Sequence, residues 1–318
     1  LGEQFCPALG IAIPVGKDSL SMRTVWHEGE QSRTVTAPLS VIISGFAPIA
    51  DARQTLTPQL RTDGGETALV FIDLAGGRQR LGGSALAQVY NQLGEQPPDA
   101  AEPEVLADFW NGLRALKLAG LILAYHDRSD GGLLACACEM AFAGHVGVEL
   151  VLDALGADPL ASLFNEELGV LVQVPRDGLA KIDQIFTDTR LASHVHCLGH
   201  LRTDDRVVFT LQGKPVIDQP RTALYRHWLA TSYHLQALRD EPTCAREALE
   251  TALSPDDKGL NPELTFDPQV PVAAPYIAKG AQPAVAILRD QGINGQTEMA
   301  AAFMAAGFQA VDVPMQDL

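Results

Sequence analysis

Apolar residues recur along this chain with two different spacings, which predict an alternation of strands and helices. Short runs rich in β-branched residues predict buried strands at 39–46, 68–74, 121–125, 146–152, 168–174, 195–201 and 207–211. Helical spacing predicts helices at about 84–93, 104–119, 133–141, 178–188 and 224–239. Because short β-hairpins intrude among these elements, we predict an α+β fold with mixed sheets rather than a doubly wound fold.

Changes in this pattern predict four parts, which are residues 1–60, 61–240, 241–282 and 283–318. The third part is rich in proline and has little periodicity, which is typical of a linker. The fourth contains a strand at 285–288, a helix at 298–306 closed by Gly307, and a strand at 310–313, the opening βαβ of an α/β domain. Since one βαβ unit cannot bury its own sheet, we expect the chain to end within that domain.

Composition excludes several classes of partner. The chain has 23 basic and 39 acidic residues, a formal charge of −16, and so has no basic surplus for a nucleic-acid backbone or an anionic membrane. No apolar run approaches the roughly 20 residues of a membrane span. Five cysteines without a secretory framework indicate reduced thiols, so we predict a cytoplasmic protein.

The string H-D-R-S-D-G-G-L at 126–133 is the first candidate for chemistry, because it follows a predicted strand and opens a helix. Such a turn can present backbone N–H groups and the Ser129 hydroxyl to phosphate oxygens. Asp127 and Asp130 suit a bridging Mg²⁺, which prefers carboxylate, water and phosphate oxygens. An alternative stays open, in which the acids only cap the helix and the glycines only permit the turn.

Lys17, in the string G-K-D-S, is a second candidate. The string is not a P-loop, because Asp18 occupies the position that requires Ser or Thr. Lys17 can meet a phosphate as a point charge, and a solvated turn lysine is an equally good interpretation.

Three further patterns favour structural interpretations. Ser84, after two glycines, is typical of a helix N-cap. The paired acids Glu166 and Glu167 favour an exposed turn. The closely spaced histidines favour an edge strand over a metal site, and they are His194, His196 and His200.

Taken together, these segments resemble the bacterial large-form formylglycinamidine ribonucleotide synthases. The matching strings are A-L-G-I-A-I-P-V-G-K-D-S-L-S-M (8–22), H-D-R-S-D-G-G-L (126–133), F-N-E-E-L-G (164–169), L-N-P-E-L-T-F-D (260–267), A-A-P-Y-I-A (273–278) and V-A-I-L-R-D-Q-G-I-N-G-Q-T-E-M-A-A-A-F (285–303). Aminoimidazole ribonucleotide synthetase-like enzymes share the second string. The linker and the last string indicate the large, fused form.

The resemblance implies a fold and an activity. Residues 1–60 would end a second A-type synthetase subdomain, 61–240 would form the second B-type, aminoimidazole ribonucleotide synthetase-like subdomain, and 283–318 would begin a class I glutamine amidotransferase domain. The family enzyme converts formylglycinamide ribonucleotide, glutamine, ATP and water to formylglycinamidine ribonucleotide, glutamate, ADP and phosphate. We therefore expect these substrates and the other domains of the same polypeptide as partners, and a monomer at full length.

The resemblance also implies site residues. Asp127 would bind Mg²⁺ and Ser129 would contact an adenine nucleotide, ATP or ADP. Lys17 is predicted, from its own string, as a further nucleotide-binding residue. The glutaminase Cys and His-Glu pair and the synthetase His are expected outside this chain, so no catalytic residue is assigned and the chain alone is expected to be inactive.

Two other interpretations remain. In one, this half of the synthetase is non-catalytic, holds a structural Mg-nucleotide and docks the glutaminase domain. In the other, the chain is a stand-alone kinase-like relative, such as a selenophosphate or thiamine-phosphate enzyme. The proline-rich linker and the start of a second domain disfavour the latter.

Overall fold

The computed structural model describes residues 2–17, 22–37, 40–49, 51–100, 102–257, 259–260 and 262–318. Contacts within the chain divide it into two compact units, residues 1–257 and 258–318. Within the described ranges, every helix is too short or too polar to cross a membrane.

The first unit mixes helices and strands along its whole length. Its helices are α1 (Phe5–Ala8), α2 (Ala85–Val89), α3 (Pro103–Leu118), α4 (Gly132–Gly144), α5 (Pro159–Phe164), α6 (Leu179–Phe186), α7 (Arg221–Arg239) and α8 (Pro242–Leu253). Its strands are β1 (Arg23–Glu28), β2 (Gln31–Thr36), β3 (Thr67–Asp73), β4 (Ala124–Asp127), β5 (Gly147–Val151), β6 (Gly169–Pro175), β7 (Val195–Arg202), β8 (Arg206–Leu211) and β9 (Lys214–Pro220).

Seven of the described strands form one sheet in the order β4-β6-β3-β7-β5-β8-β9. Neighbouring strands are antiparallel except β5 and β8, which are parallel, so the predicted mixed sheet and α+β class are confirmed. In the register, Asp73 of β3 faces Gly169 and Asp127 of β4 faces Val170. The chain therefore leaves β3 and β4 at the same end of the sheet, where β6 begins.

Helices cover both faces of this sheet, and β3 contributes to both cores. Its alternate residues Ala68, Val70 and Ile72 pack in one hydrophobic cluster with residues of α3 and α6. Leu69 and Phe71 pack in the other cluster, with residues of α4. All seven residues of β3 are buried, and burying one large apolar side chain stabilises a fold by roughly 1.5–3 kcal/mol. The buried sheet therefore fixes the positions at which the loops at its ends begin.

The second unit contains the predicted βαβ arrangement. Its elements are α9 (Ala274–Ile277), β10 (Ala284–Arg289), α10 (Gln296–Ala305) and β11 (Gln309–Pro314). The two strands are parallel. Gly307 follows α10 with φ +91°, a left-handed conformation that favours glycine, as the C′ prediction requires.

Two predictions about secondary structure are wrong. Residues 40–46, which lie within the strand predicted at 39–46, form no strand (Leu39 lies outside the described residues). Ile42 and Phe46 are 92% and 97% exposed, so these apolar side chains are not packed in a core. A strand needs a neighbouring strand to accept its hydrogen bonds, and an apolar sequence alone does not supply one.

The predicted linker at 241–282 begins with helix α8 instead. Pro242 occupies the first turn, where its missing N–H costs nothing, and the Glu241 carboxylate accepts a hydrogen bond from Cys244 N at 2.8 Å. Helix α8 packs against α7 within the first unit. The proline that suggested a linker therefore marks a helix start.

We predict that the cysteines differ sharply in reactivity. Cys136 and Cys138 are buried, which raises the pKa of both thiols, that of Cys138 to about 12. Cys197 and Cys244 are exposed. Because the thiolate is the reacting species, iodoacetamide at pH 8 should label the exposed pair in the native protein and the buried pair only after unfolding, as read by peptide mass spectrometry. Equal labelling rates for Cys136 and Cys197 in the native protein would contradict this.

Candidate functional site

The H-D-R-S-D-G-G turn leads from the end of β4 into α4. Asp127 is the last residue of β4 and is exposed, and Ser129 and Asp130 are exposed on the turn that follows. The structure thus brings two of the predicted site residues, Asp127 and Ser129, together on one surface turn.

Tyr125 orients the Asp127 carboxylate. Its hydroxyl donates a hydrogen bond to Asp127 Oδ1 at 2.5 Å. Burial, reinforced by this hydrogen bond, raises the pKa of Tyr125 well above its usual range. The phenol therefore remains a proton donor to the carboxylate at any physiological pH.

Arg128, between the two exposed site residues, points into the protein and is 5% exposed. Its Nη2 donates to Asp73 Oδ1 at 2.9 Å, and its guanidinium carbon lies 4.8 Å from the centroid of the Phe71 ring. Burial lowers the pKa of Arg128, and the charge of Asp73 opposes that shift. This inward side chain attaches the turn to the end of β3.

The turn also docks on the F-N-E-E-L-G segment at 164–169. Arg128 N donates to Gly169 O at 2.7 Å, and Arg128 Nε and Nη2 donate to the carbonyls of Glu167 at 2.6 Å and Leu168 at 3.0 Å. The two strings, which are about 40 residues apart along the chain, therefore form one structure.

The two paired acids of that segment, Glu166 and Glu167, have different partners. Glu166 Oε1 accepts hydrogen bonds from Ala85 N at 2.8 Å and from Gly131 N at 2.9 Å. Glu167 is 1% exposed and forms an ion pair with Arg80, with Nη2 and Oε2 2.9 Å apart. The predicted exposed turn is thus wrong for Glu167, because a cation and backbone donors brought by other elements satisfy both carboxylates.

Three backbone donors of the 127–132 turn are already engaged. Arg128 N donates to Gly169 O, Gly131 N to Glu166 Oε1, and Gly132 N to Ser129 O. The prediction that the turn offers its N–H groups to phosphate is therefore wrong for these three amides. A carboxylate of the protein occupies the place at the start of α4 that an anion would take.

The groups that remain exposed are oxygen donors, namely the side chains of Asp127, Ser129 and Asp130. Carboxylate and hydroxyl oxygens are hard ligands of the kind that Mg²⁺ binds, usually with several waters and substrate phosphates completing its six positions. Within the described ranges, no three His, Cys, Asp or Glu residues are grouped to hold a metal ion. The donor set fits a Mg²⁺ that takes its other ligands from outside the turn.

Lys17 lies elsewhere, in the exposed segment 11–17, which forms neither helix nor strand. Asp18 and Ser19, the rest of its G-K-D-S string, lie outside the described residues. Its contact with a phosphate stays a prediction.

Two structural interpretations can be compared with the structure. Ser84 caps α2 as predicted, accepting a hydrogen bond from Ala87 N at 3.2 Å. His196 and His200 lie on β7, which confirms a strand, but β7 pairs with both β3 and β5 and is therefore not an edge strand. Burial lowers the pKa of His196, which disfavours its charged form.

Sequence reasoning missed a polar chain beside the turn. His126 Nε2 lies 2.6 Å from Glu139 Oε2, and Trp228 Nε1 donates to Glu139 Oε1 at 2.9 Å. The hydrogen bond with His126 lowers the pKa of Glu139. The three residues come from β4, α4 and α7, so no local spacing signals the group.

Three segments of the chain match models of known protein families. Residues 1–48 match the FGAR-AT PurM_N-like domain, residues 69–212 match the C-terminal domain of AIR synthase related protein, and residues 282–318 match the CobB/CobQ-like glutamine amidotransferase domain. Taken in order, the three matches support a likeness to formylglycinamidine ribonucleotide synthases. These matches agree with the synthetase-then-amidotransferase order that the sequence predicted for a formylglycinamidine ribonucleotide synthase.

Solved structures similar to this chain include two from Thermotoga maritima and one from E. coli. T. maritima PurL complexed with ATP is 14% identical, with a TM-score of 0.41 over 61% of this chain and 28% of that chain. The structure described as PurLQS is 15% identical, with a TM-score of 0.43 over 54% and 28%. The hydrogenase maturation protein HypE is 18% identical, with a TM-score of 0.37 over 52% of each chain. The chain thus spans 28% of the length of these PurL chains.

Proposed function

We propose that this chain is part of an ATP-dependent ligase that makes formylglycinamidine ribonucleotide from formylglycinamide ribonucleotide and glutamine. The observation that carries the proposal is the presence, in this order, of a FGAR-AT-type domain, an AIR synthase-type domain and a glutamine amidotransferase-type domain. ATP would phosphorylate the amide oxygen of the substrate, and ammonia released from glutamine would displace the phosphate. Glutamate, ADP and phosphate are the other products.

Within this activity, we assign the 127–132 turn to a Mg-nucleotide. Asp127 would bind the Mg²⁺, Ser129 would contact the nucleotide, ATP or ADP, and Lys17 would meet a phosphate as a point charge. A bound Mg²⁺ neutralises phosphate charge during transfer. The exposed oxygen donors of the turn support the assignment, and Tyr125 orients one of them, the Asp127 carboxylate.

No residue of this chain is assigned to bond making. The partners that we propose are the small-molecule substrates and the other domains of the same polypeptide, in a cytoplasmic protein that is a monomer at full length. The net charge of −16 supports the choice of small molecules over nucleic acid.

The proposed activity is tested with a protein in which this chain is joined to the other domains of its family. ADP release, followed by a coupled assay, should require formylglycinamide ribonucleotide, Mg²⁺ and either glutamine or ammonia. ADP release that does not depend on formylglycinamide ribonucleotide would refute the proposed ligase.

Asp127→Asn is expected to weaken binding of MgADP to that protein by at least about tenfold, because even an outer-shell partner of a metal ligand contributes that much. Isothermal titration with and without Mg²⁺ measures the effect. The matched control is Asp204→Asn, which changes an exposed carboxylate in the loop between β7 and β8 and should leave MgADP affinity unchanged.

The same variant separates a catalytic from a structural nucleotide. If ligase turnover falls in parallel with MgADP affinity, the site is the one at which ATP is consumed. If turnover persists while bound nucleotide is lost and the melting temperature falls, the nucleotide at Asp127 is structural. Unchanged MgADP affinity would refute the role of Asp127 as a metal ligand.

A further inference from the structure

One carboxylate oxygen joins the 127–132 turn to a second turn, the one at Gly82 and Gly83 that precedes α2. Glu166 Oε1 accepts a hydrogen bond from Gly131 N at 2.9 Å, at the start of α4, and from Ala85 N at 2.8 Å, at the start of α2. The first amides of a helix lack partners within the helix, and its dipole favours a negative charge there. Glu166 therefore stabilises two helix starts at once and fixes the distance between them.

The 127–132 turn is held on both sides of its exposed residues. On one side, Arg128 is fixed by the carbonyls of segment 167–169 and by Asp73. On the other side, Gly131 is fixed by Glu166. Gly132 lies against the backbone of residues 163–165, so an added Cβ would be 2.4 Å from Leu163 O.

Ser129 and Asp130 are the two residues between these attachments, and both are exposed. Their positions, and the direction in which the chain leaves Asp127, therefore depend on the attachments. The attachment at Gly131 comes from a side chain, so a single substitution removes it and leaves the backbone contacts of Arg128 in place.

We propose that Glu166 is a positioning residue of the Mg-nucleotide site. It touches neither the metal nor the nucleotide, and it acts by holding Gly131 so that Ser129 and Asp127 face the ligand together. This inference rests on the proposed function, because it needs a Mg-nucleotide at the turn.

The chemistry of the contact predicts a graded series of variants. Glu166→Ala removes the acceptor and leaves two helix amides without it. Glu166→Gln keeps an oxygen acceptor of the same length and loses the charge that strengthens both hydrogen bonds. We therefore expect MgADP affinity to fall about 10- to 100-fold in the alanine variant, the range for outer-shell partners of a metal ligand, and much less in the glutamine variant.

The experiment measures MgADP affinity by isothermal titration, and melting temperature in parallel, in the protein that joins this chain to the other domains of its family. Asp158→Ala is the matched control. Asp158 Oδ1 also accepts two backbone hydrogen bonds at a helix start, from Leu160 N at 2.9 Å and Ala161 N at 3.3 Å, but this helix is α5. The control should lower the melting temperature and leave MgADP affinity unchanged.

The outcomes separate the positioning role of Glu166 from the existence of the Mg-nucleotide site. The inference is supported if MgADP binding weakens in Glu166→Ala, largely recovers in Glu166→Gln and is unchanged in Asp158→Ala. Wild-type affinity in Glu166→Ala, or an equal loss in Asp158→Ala, overturns it and leaves the proposed function standing. Absence of MgADP binding in the wild-type protein overturns the proposed site, and the inference falls with it.

Discussion

Substituting Arg128 with methionine is expected to lower the free energy of unfolding of the first unit by about 3–5 kcal/mol, because it leaves a buried charge without its partner. The Arg128 and Asp73 side chains are 2% and 6% exposed, so water cannot replace the lost contact. The variant also loses the donors to the Glu167 and Leu168 carbonyls. Urea unfolding followed by far-ultraviolet circular dichroism measures the change.

The control for this prediction is Arg190→Met. Arg190 pairs with Asp108 at 3.0 Å, but its side chain is 52% exposed and water solvates both partners, so little change is expected. Adding Asp73→Asn to Arg128→Met should recover part of the loss, because the double variant no longer buries an unpaired charge. Equal losses in Arg128→Met and Arg190→Met would contradict the buried-pair argument.

Gly132→Ala is expected to destabilise the first unit by about 2–5 kcal/mol, the sum of left-handed strain and overpacking. Gly132 has φ +70°, and a Cβ there would lie 2.4 Å from Leu163 O and 2.8 Å from Asn165 O. These neighbours are backbone atoms, so the clash is relieved only by moving the turn away from segment 163–169. The same unfolding measurement applies, and MgADP affinity should fall with stability.

Gly213→Ala separates the two contributions. Gly213 has φ +72°, almost the same conformation, but a Cβ there would meet nothing within 4 Å. Its substitution should cost about 1 kcal/mol, from the left-handed conformation alone. If both alanine variants lose the same stability, the close contact of Gly132 with segment 163–169 makes no separate contribution.

The sheet of the first unit was largely predictable because its strands β3 and β6 are buried on both faces. Runs such as 68–72 and 168–172 are continuously apolar, and the structure has β3 and β6 there. The hairpin of β1 and β2 was not predicted, although Gly29 marks its turn with φ +63°. All of its residues are exposed, so neither strand shows the alternation of apolar and polar positions that burial imposes.

For the candidate site, the local part was predictable and the distant contacts were not. Asp127 and Ser129 are neighbours on one turn after one strand, so the string alone places them together. The contact of Gly131 with Glu166 spans 35 residues and that of Arg128 with Asp73 spans 55. No periodicity reports such pairs, because they arise from the order of strands in the sheet. The paired acids were therefore interpreted as exposed when one of them is buried.

The docking of the 127–132 turn on segment 163–169 has a consequence for protein engineering. A synthetic peptide with the sequence H-D-R-S-D-G-G-L lacks the Gly169 carbonyl, the Glu166 carboxylate and the Asp73 partner, so it has no reason to hold this shape. Transplanting the turn into another scaffold requires the end of β3 and segment 163–169 to be moved with it. The smallest portable unit is thus a group of three chain segments rather than one string.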